Sequence, residues 1–313
     1  MIRFIEHNEI DKQKWDACIK EAFNGNLYGW SWYLDIIHPN WNALIEDDYE
    51  RIFPLTGSRK FGIGYLFQPF FAQQLGIYSK SILNPTIVDQ YLAAIPSQYQ
   101  FVDIRLNSHN KSGNNGFKTI IHLNHELDLI NSYEKIYKKY GTNTKRNLKK
   151  AVEAGLTVKK NFRGEDIVAI FRQNRGRTIS HWNDREYARL ITLVYAAVYR
   201  GQASVYGVFT ADDKLCAGAI FMQSHKKLVF LFSGADKIAK ENHALTFLID
   251  FVIKESSPSQ FILDFEGSDN EGLARFYKGF GSKQTDYPGI TINRLPLLLK
   301  VAMKLIKKRE TGF

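Results

Sequence analysis

Apolar residues recur with two different spacings in the first 130 residues, which predicts a mixture of helices and strands. Spacing of three and four residues predicts helices at 11–23, 29–37 and 86–95. Alternation of apolar and polar residues predicts strands at 41–46, 50–56, 61–67, 100–106 and 117–123. An aromatic-rich loop at 69–80 and a polar loop at 107–116 separate these elements. The first part of the chain is therefore predicted to be an α+β unit.

The same kind of pattern restarts after residue 130. A helical hairpin, 131–139 and 143–154, is predicted to end at Gly155, because glycine readily adopts the left-handed conformation that closes a helix. The strands predicted after it are 156–161, 203–209, 215–224, 227–233, 261–265 and 289–294. The helices predicted after it are 165–175, 184–200, 243–255, 269–278 and 296–309. Both halves hold comparable elements, so we expect a structural duplication with domains at 1–140 and 141–313.

The composition narrows the classes of protein. The 313 residues are 44% hydrophobic and 24% charged, which is typical of a folded globular protein. Only two cysteines occur, Cys18 and Cys216, and neither lies in a CxxC motif, so neither a disulfide framework nor a structural zinc site is expected. The sequence shows neither a signal-peptide pattern nor a run of 18 apolar residues. We therefore expect a cytoplasmic protein that is soluble or peripheral to the inner face of the membrane.

The net charge of +10 is concentrated in two segments. Residues 131–163 hold ten Lys or Arg against two Glu, a net charge of +8, and residues 295–310 hold five against one, a net charge of +4. The rest of the chain is close to neutral, so the basicity is local. Each segment is expected to have an anionic partner, and charge alone leaves tRNA, a diphosphate-bearing small molecule and an anionic lipid surface open.

The predicted helix at 143–154 carries its positive charge on one side. Positions four apart share a helix face, so Lys145 and Lys149 lie one turn apart, with Arg146 and Lys150 beside them. The opposite side carries apolar residues: Leu148, Ala151 and Val152. Such a helix is either an anion-binding surface or an ordinary solvated amphipathic helix. The clustering of charge in this hairpin favours anion binding.

The segment FILDFEGS, residues 261–268, ends a predicted strand in two carboxylates. Asp264 and Glu266 point to the same face of an extended strand, and Gly267 permits a tight exit into the next helix. That helix carries Phe276, Tyr277 and Lys278 near its end. One interpretation is a reactive corner at the junction of strand and helix. The other is structural, with Asp264 held in an ion pair and Tyr277 packed as a core aromatic.

Two segments give this chain a resemblance to a known family. TKRNLKKAVEAGL, just after Tyr140, and LDFEGSDNEGLARFYKGFG resemble the FemAB-like family of the GCN5-related N-acyltransferase superfamily, whose members add amino acids to the peptidoglycan cross-bridge precursor. PFFAQQLG, residues 69–76, adds a weaker similarity to the first domain of such proteins. The resemblance implies an α/β fold of two tandem acyltransferase-like domains, each a mixed central sheet flanked by helices. It also implies that donor and acceptor meet in a cleft at the junction of the domains.

The last motif departs from the family pattern. Cross-bridge enzymes have GLYxFKxGFG, whereas this chain reads GLARFYKGFG, so Tyr277 stands at the family's lysine position and Lys278 follows it. A tyrosine there is similar to ordinary N-acetyltransferases, in which the phenol protonates the departing thiolate. Those enzymes also hold pyrophosphate with a glycine-rich loop, and the matching stretch here, SGADKIAKENHA from Ser233, contains the single glycine Gly234. The donor therefore stays open between acyl-CoA and aminoacyl-tRNA, each a co-substrate rather than a permanently bound cofactor.

The resemblance implies a mechanism in which an amine attacks an acyl ester or thioester. We expect Glu266 or Asp264 to accept or orient the amine proton. Lys278 is expected to stabilise the developing negative charge, and Tyr277 to hydrogen-bond the leaving group. The residues expected to bind donor or substrate are Lys145, Arg146, Lys149, Lys150, Ser233, Gly234, Gly267 and Phe276. The acceptor would be a small amine, with a cell-wall precursor as the family's example.

Two further segments are weaker candidates. His181 and Trp182, in TISHWND, are predicted to be an exposed loop pair able to contact the acceptor, although a lone histidine is more often structural. The helix at 296–309 is amphipathic and basic, which suits either packing on its own domain or contact with an anionic membrane. No metal-binding, serine-hydrolase, Walker or Rossmann motif occurs. The alternatives to an aminoacyl or acyl transferase are an acetyl-CoA-dependent N-acetyltransferase and a non-catalytic RNA-binding or membrane-surface module.

Overall fold

A computed structural model describes residues 1–114, 116–179, 182–267 and 269–296. The chain divides into two units: residues 1–121 together with the segment from residue 287 form the first, and residues 122–286 form the second. The strands are β1 (Ile2–Ile5), β2 (Asn42–Glu46), β3 (Arg51–Leu55), β4 (Gly57–Lys60), β5 (Ile63–Phe67), β6 (Tyr78–Ser79), β7 (Tyr99–Arg105), β8 (Lys118–Asp128), β9 (Thr157–Lys160), β10 (Ala203–Phe209), β11 (Leu215–Ser224), β12 (Lys227–Ala235), β13 (Ile262–Asp264) and β14 (Lys283–Asn293).

Several of the helices begin at a residue whose side chain accepts hydrogen bonds from the first backbone N–H groups. Asp11 caps the first helix and Asn84 caps the third, which also begins at a proline, while Asn183 and Glu186 form a capping box at the seventh. The helices are α1 (Lys12–Glu21), α2 (Ser31–Ile37), α3 (Pro85–Ala93), α4 (Tyr133–Lys138), α5 (Thr142–Glu153), α6 (Gly164–Gln173), α7 (Asp184–Tyr199), α8 (Lys237–Glu241), α9 (Ala244–Ser256) and α10 (Glu271–Lys278).

The first unit contains two groups of paired strands. One is an antiparallel sheet in the order β1-β2-β3-β6. The other runs β4-β5-β7-β14 and includes one parallel pair, β5 with β7. The loop that follows β5 is buried from Ala72 to Ser79. An asparagine trio, Asn24, Asn107 and Asn110, holds it in place, because Asn24 and Asn110 hydrogen-bond to the backbone of Ile77 and Asn107 hydrogen-bonds to Asn24. This aromatic-rich loop is therefore part of the core of the first unit rather than a surface connection.

The second unit is a mixed sheet with helices on both faces. Its strand order is β8-β13-β12-β11-β10-β9, in which the β12–β13 pair is parallel and the other pairs are antiparallel. α6 covers one face, where Gly218 and Gly234 lie side by side on β11 and β12 beneath Ile167. α4, α5 and α9 contribute to the core on the other face, with Ile136, Leu148 and Leu248 among its buried residues. Glycine is needed at both positions because α6 packs closely here: its backbone approaches Gly234, and the side chain of Ile167 approaches Gly218.

The observed elements confirm the predicted α/β class and most of the predicted helices and strands. β1, β4, β6 and α8 are additional short elements. β8 extends to Asp128 and β14 begins at Lys283, both well beyond the predicted bounds. The described units also differ from the predicted division after residue 140, because α4 packs in the core of the second unit and residues 287–296 belong to the first. The chain crosses between the units within β8 and within β14.

The described residues contain neither a membrane-spanning helix nor a cluster of metal ligands. No described helix is long and apolar enough to cross a lipid bilayer. Within the same residues, no group of three His, Cys, Asp or Glu side chains is arranged to hold a metal ion. Cys18 and Cys216 are both buried free thiols, and burial raises their pKa values to about 12 and about 11. The predicted helix at 296–309 lies outside the described residues, apart from its first position.

Candidate active site

Strands β12 and β13 pair for only three residues and then diverge. Lys227, Leu228 and Val229 are in register with Ile262, Leu263 and Asp264. β12 continues to Ala235, and no described strand pairs with the β13-side edge of residues 230–235. Its pairing with β11 also shifts register here, since Phe230 and Phe232 face consecutive residues of β11 and Leu231 has no partner. An extended ligand can therefore hydrogen-bond to this stretch of backbone as an added strand would.

Asp264 ends β13 inside a buried ion-pair network. Its carboxylate accepts hydrogen bonds from Lys227 Nζ at 3.0 Å and from Asn124 Nδ2 at 2.9 Å. Lys227 also contacts Glu126 Oε1 at 2.5 Å. Burial by itself lowers the pKa of Lys227, but the charges of Asp264 and Glu126 outweigh burial and raise that pKa. These contacts match the structural interpretation of Asp264, which ties β13 to β8 and β12 and has no free oxygen for a substrate.

Glu266 and Gly267 turn the chain away from β13. Both adopt left-handed backbone conformations, with φ of 58° and 78°, and the Glu266 N–H donates to Asp264 Oδ1 at 2.9 Å. A left-handed conformation costs a non-glycine residue about 1 kcal/mol, so the network around Asp264 holds Glu266 in a strained position. The Glu266 carboxylate is close enough to Tyr277 for its charge to affect that phenol. Glu266 and Tyr277, two of the predicted site residues, are therefore close to each other in the folded chain.

Tyr277 is buried, and its ring stacks on Phe265. The ring centroids are 4.7 Å apart, with an interplanar angle of 23°. Burial raises the pKa of Tyr277, and the charge of Glu266 raises it further, so the phenol stays protonated at neutral pH. Its hydroxyl has no hydrogen-bond partner among the described residues. Tyr277 is thus both the core aromatic of the structural interpretation and a proton donor with no protein acceptor.

His125 is a residue of this corner that the sequence analysis missed. It is fully buried on β8, its ring centroid lies 6.2 Å from that of Tyr277, and its Nε2 has no partner among the described residues. Burial lowers the pKa of His125, and the positive charge of Lys278 lowers it further, so the imidazole is neutral. The signal was the alternation in NHELD, which places His125 with Leu127 on one face of β8 and Asn124 with Glu126 on the other.

Two cavities flank α10, and both are lined by Arg275 and Lys278. The α5 cavity, about 510 Å³, lies among the first turn of α5, Thr246 of α9 and the second half of α10 including Phe276. The β8 cavity, about 330 Å³, also has Leu123, Asp269 and Glu271 in its wall. Lys278 therefore borders two spaces that a substrate can enter, next to the buried Tyr277.

The four basic residues that were predicted to share one side of α5 do not form a single anion-binding surface. Lys145 donates to the carbonyl of Lys138 at 3.2 Å and lies over the ring of Tyr137, and Lys149 pairs with Glu153 at 3.8 Å. Arg146 and Lys150 instead lie near the start of α9, where their charges add to burial in lowering the pKa of His243. Val152, predicted on the apolar side, is 64% exposed, so the apolar side of α5 is narrower than its sequence indicates.

Ser233 and Gly234 do not form a phosphate-binding loop. A side chain at Gly234 would lie 2.5 Å from the carbonyl oxygen of Ile167, so this glycine makes room for α6. The short helix α8 that follows is capped by Asp236, whose carboxylate accepts from the N–H of Ala239 at 2.8 Å. A negative charge already occupies this helix terminus, which disfavours a diphosphate there.

Trp182 is half-buried rather than exposed. Its ring lies 5.4 Å from Phe171, 5.5 Å from Tyr187 and 6.2 Å from Phe232, the residue that follows the irregularity in β12. The prediction of an exposed pair was therefore wrong for Trp182, because aromatic packing covers it. His181 lies outside the described residues.

Comparison with solved structures identifies the fold. The crystal structure of FemX aligns with 93% of this chain and 98% of its own, at a TM-score of 0.67 and 13% identity. L-PGS from Bacillus licheniformis aligns over 95% of this chain and 96% of its own (TM-score 0.54, 12% identity). A tandem GNAT protein from the clavulanic acid biosynthesis pathway aligns over 95% and 99% (TM-score 0.52, 10% identity). No family model and no curated protein matches the sequence. The chain thus has the fold of FemX and of this tandem GNAT protein, which confirms the fold that the resemblance implied.

Proposed function

We propose that this protein is an acyltransferase that moves an acyl or aminoacyl group from an activated carrier to an amine, with its reactive corner in the second unit. The observation that carries this proposal is the free edge of β12 beyond residue 229, beside a protonated tyrosine with no protein acceptor. The fold similarity to FemX and to a tandem GNAT protein supports it at the level of architecture. The motifs shared with the FemAB-like family support the same chemistry.

In the proposed reaction the acyl donor lies along β12 with its carbonyl near α10. The neutral amine attacks the carbonyl carbon, a C–N bond forms, and the oxygen of the tetrahedral intermediate becomes negatively charged. Lys278 stabilises that charge. The C–O or C–S bond to the carrier then breaks, Tyr277 donates its proton to the leaving group, and the proton lost by the amine restores the phenol.

Glu266 is the carboxylate assigned to the amine in this proposal. It is half-buried, and its backbone is fixed by the hydrogen bond to Asp264. Asp264 has a structural role instead, because its oxygens already accept hydrogen bonds from Lys227, Asn124 and the Glu266 N–H. We therefore assign orientation of the attacking amine to Glu266 and structural support to Asp264.

The donor we favour is aminoacyl-tRNA. Acetyl-CoA enzymes hold the diphosphate of coenzyme A at a helix N-terminus, and the helix that follows β12 in this chain is α8. The Asp236 carboxylate caps α8, and its negative charge disfavours a diphosphate there. The basic residues of α4 and α5 suit a larger polyanion. The acceptor we propose is the amine of a cell-wall-type precursor or a similar small molecule.

A transfer assay tests this proposal. The full-length protein is incubated with a panel of radiolabelled aminoacyl-tRNAs, or with labelled acetyl-CoA, and with amine acceptors that include peptidoglycan precursor peptides. We expect a labelled amide from aminoacyl-tRNA. An amide formed from acetyl-CoA alone would support transfer but contradict the favoured donor. Binding of tRNA that weakens with salt, with no amide from any donor, would contradict catalysis and support an RNA-binding module.

A further inference from the structure

The α5 cavity has features of a binding site that the transfer chemistry does not use. We propose that it binds a phosphate group, which in the proposed function belongs to the carrier end of the acyl donor. Identifying the ligand as part of the donor rests on that proposed function, whereas anion binding by the cavity does not. The ligand chemistry is a phosphate ester or diphosphate, which both tRNA and coenzyme A carry.

The first turn of α5 opens into this cavity. Gly141, Thr142, Asn143 and Thr144 all line it, and no side chain caps the helix among the described residues. The N–H of Gly141 donates to the carbonyl of Gly279 at 2.9 Å, so the start of α5 is fixed against the end of α10. The first N–H groups of a twelve-residue helix are left for a ligand, and the helix dipole favours a negative one.

Two threonines on different helices give independent support. Thr144 of α5 is 8% exposed, and Thr246 of α9 is 4% exposed. Both residues line the cavity, and neither hydroxyl has a hydrogen-bond partner among the described residues. A hydroxyl group that lines a cavity without a protein partner can donate a hydrogen bond to a ligand. These two hydroxyls are therefore expected to bind a ligand that accepts hydrogen bonds.

The charge of the cavity selects an anion. Arg275 and Lys278 contribute cations to its wall, and the residues lining it include no carboxylate. Arg146 and Lys150 add positive charge near His243, which precedes the first turn of α9. The neighbouring β8 cavity differs, because Asp269 and Glu271 line it. Helix N–H groups, hydroxyls and a guanidinium are the donors that commonly bind phosphate.

Calorimetric titration of the full-length protein tests the proposal with three probes: pyrophosphate, coenzyme A and a short RNA hairpin ending in CCA. The cavity variants are Arg275→Gln and Thr246→Val, the second of nearly unchanged shape. The control is Lys214→Gln, which removes one exposed positive charge from the second unit at a position that does not line the cavity.

We expect pyrophosphate and one of the two larger probes to bind, and the one that binds identifies the source of the phosphate. Loss of a hydrogen bond to a charged group costs about 1.5–3 kcal/mol, so Arg275→Gln should raise Kd about 10-fold or more. Thr246→Val should raise it by a smaller factor, and Lys214→Gln should leave it within about twofold. Unchanged affinity in both cavity variants, or an equal loss in the control, would overturn the proposal.

The titration and the transfer assay test the phosphate site and the proposed function separately. If the probes bind through the cavity but no donor yields an amide, the transfer proposal fails and the phosphate site stands. If amide forms while both cavity variants bind every probe as the wild type does, the phosphate site fails alone.

Discussion

Two clusters of polar side chains, one in each unit, differ in how their hydrogen bonds are satisfied. In the first unit, Asn24, Asn107 and Asn110 use their side-chain oxygens and amide groups in hydrogen bonds, mostly to the backbone of Ile77 and Ser79. In the second unit, the buried atom His125 Nε2 and the hydroxyls of three largely buried residues, Thr144, Thr246 and Tyr277, have no hydrogen-bond partner in the described part of the chain.

This difference separates structural polar groups from functional ones. A paired buried group stabilises the fold, and its removal leaves the partner without a hydrogen bond. A group without a protein partner contributes no hydrogen bond to stability, and where it lines a cavity it is available to a ligand. The asparagine trio thus fixes a loop, whereas the groups around α10 mark the site. The predictions below follow from that distinction.

The largest effect is expected at Lys227, the paired cation behind the reactive corner. Lys227→Met leaves the buried carboxylate of Asp264 and the half-buried carboxylate of Glu126 without their cation, which should lower the free energy of unfolding by about 3 kcal/mol. Urea unfolding measures this change. Lys214→Met is the control, because its partner Asp212 is exposed and such pairs contribute about 0–1 kcal/mol. Equal losses in the two variants would contradict the structural role of the network.

Tyr277→Phe should change activity and leave stability almost unaltered. The lost hydroxyl has no protein partner, so the free energy of unfolding should stay within about 0.5 kcal/mol, while kcat falls about 10²-fold or more through loss of the proton donor. Steady-state kinetics with thermal unfolding measures both. Tyr133→Phe is the matched control: its hydroxyl bonds Asp250 at 2.9 Å, so we expect it to lose about 1 kcal/mol of stability and retain kcat. The reverse pattern would refute the comparison.

Asn110→Ala and Thr246→Val compare the two kinds of buried polar group directly. Asn110 Oδ1 accepts from the N–H of Ile77 at 2.6 Å, and its Nδ2 donates to the carbonyl of the same residue at 3.1 Å. Losing these bonds should cost about 2 kcal/mol of unfolding free energy, whereas Thr246→Val should cost less than about 0.5 kcal/mol. Chemical denaturation of both variants gives the answer. A Thr246 variant destabilised as much as the Asn110 variant would show that its hydroxyl is structural.

The smallest effect is a pH dependence of stability from His125. Its pKa is lowered in the folded protein, so near pH 6 the unfolded chain binds more protons than the folded one. This contribution to stability is present above the unfolded pKa of about 6.5 and is lost as pH falls through the folded pKa. His125→Gln should therefore flatten the loss of unfolding free energy between pH 7 and pH 5.

His243 provides the comparison for this pH effect, because burial and nearby cations lower its pKa too. His243→Gln should remove a separate share of the slope, and the double variant should be the flattest. A wild-type protein that becomes more stable as pH falls through this range would contradict the neutral imidazole at position 125.

Local pattern was sufficient to predict most of the fold. The spacing of apolar residues predicted α9 and β11, since both bury continuous apolar surface. The apolar spacing failed to predict the second half of β8, because the segment NHELD is mostly polar. Asn124 and Glu126 of this segment form hydrogen bonds with Asp264 and Lys227 on other strands, which the local sequence does not reveal. It also missed α4's place in the second unit, since membership of a core depends on contacts far apart in sequence.

The candidate site was predictable only in part for the same reason. The motif located Tyr277, Lys278 and Glu266 because they are close in sequence. Asp264 proved to be paired with Lys227, a residue from another strand, and Gly234 proved to accommodate α6. The cavity wall combines α5, α9 and α10, which no single segment of sequence reveals.

Lys278 joins the reactive corner to the α5 cavity, so Lys278→Met gives the most direct measurement. Amide formation from labelled aminoacyl-tRNA is followed in a single turnover at saturating protein, and donor affinity is measured in parallel. The account predicts a rate about 10²-fold lower or more, together with weaker donor binding, in a protein that unfolds like the wild type. Amide formation at the wild-type rate would contradict it.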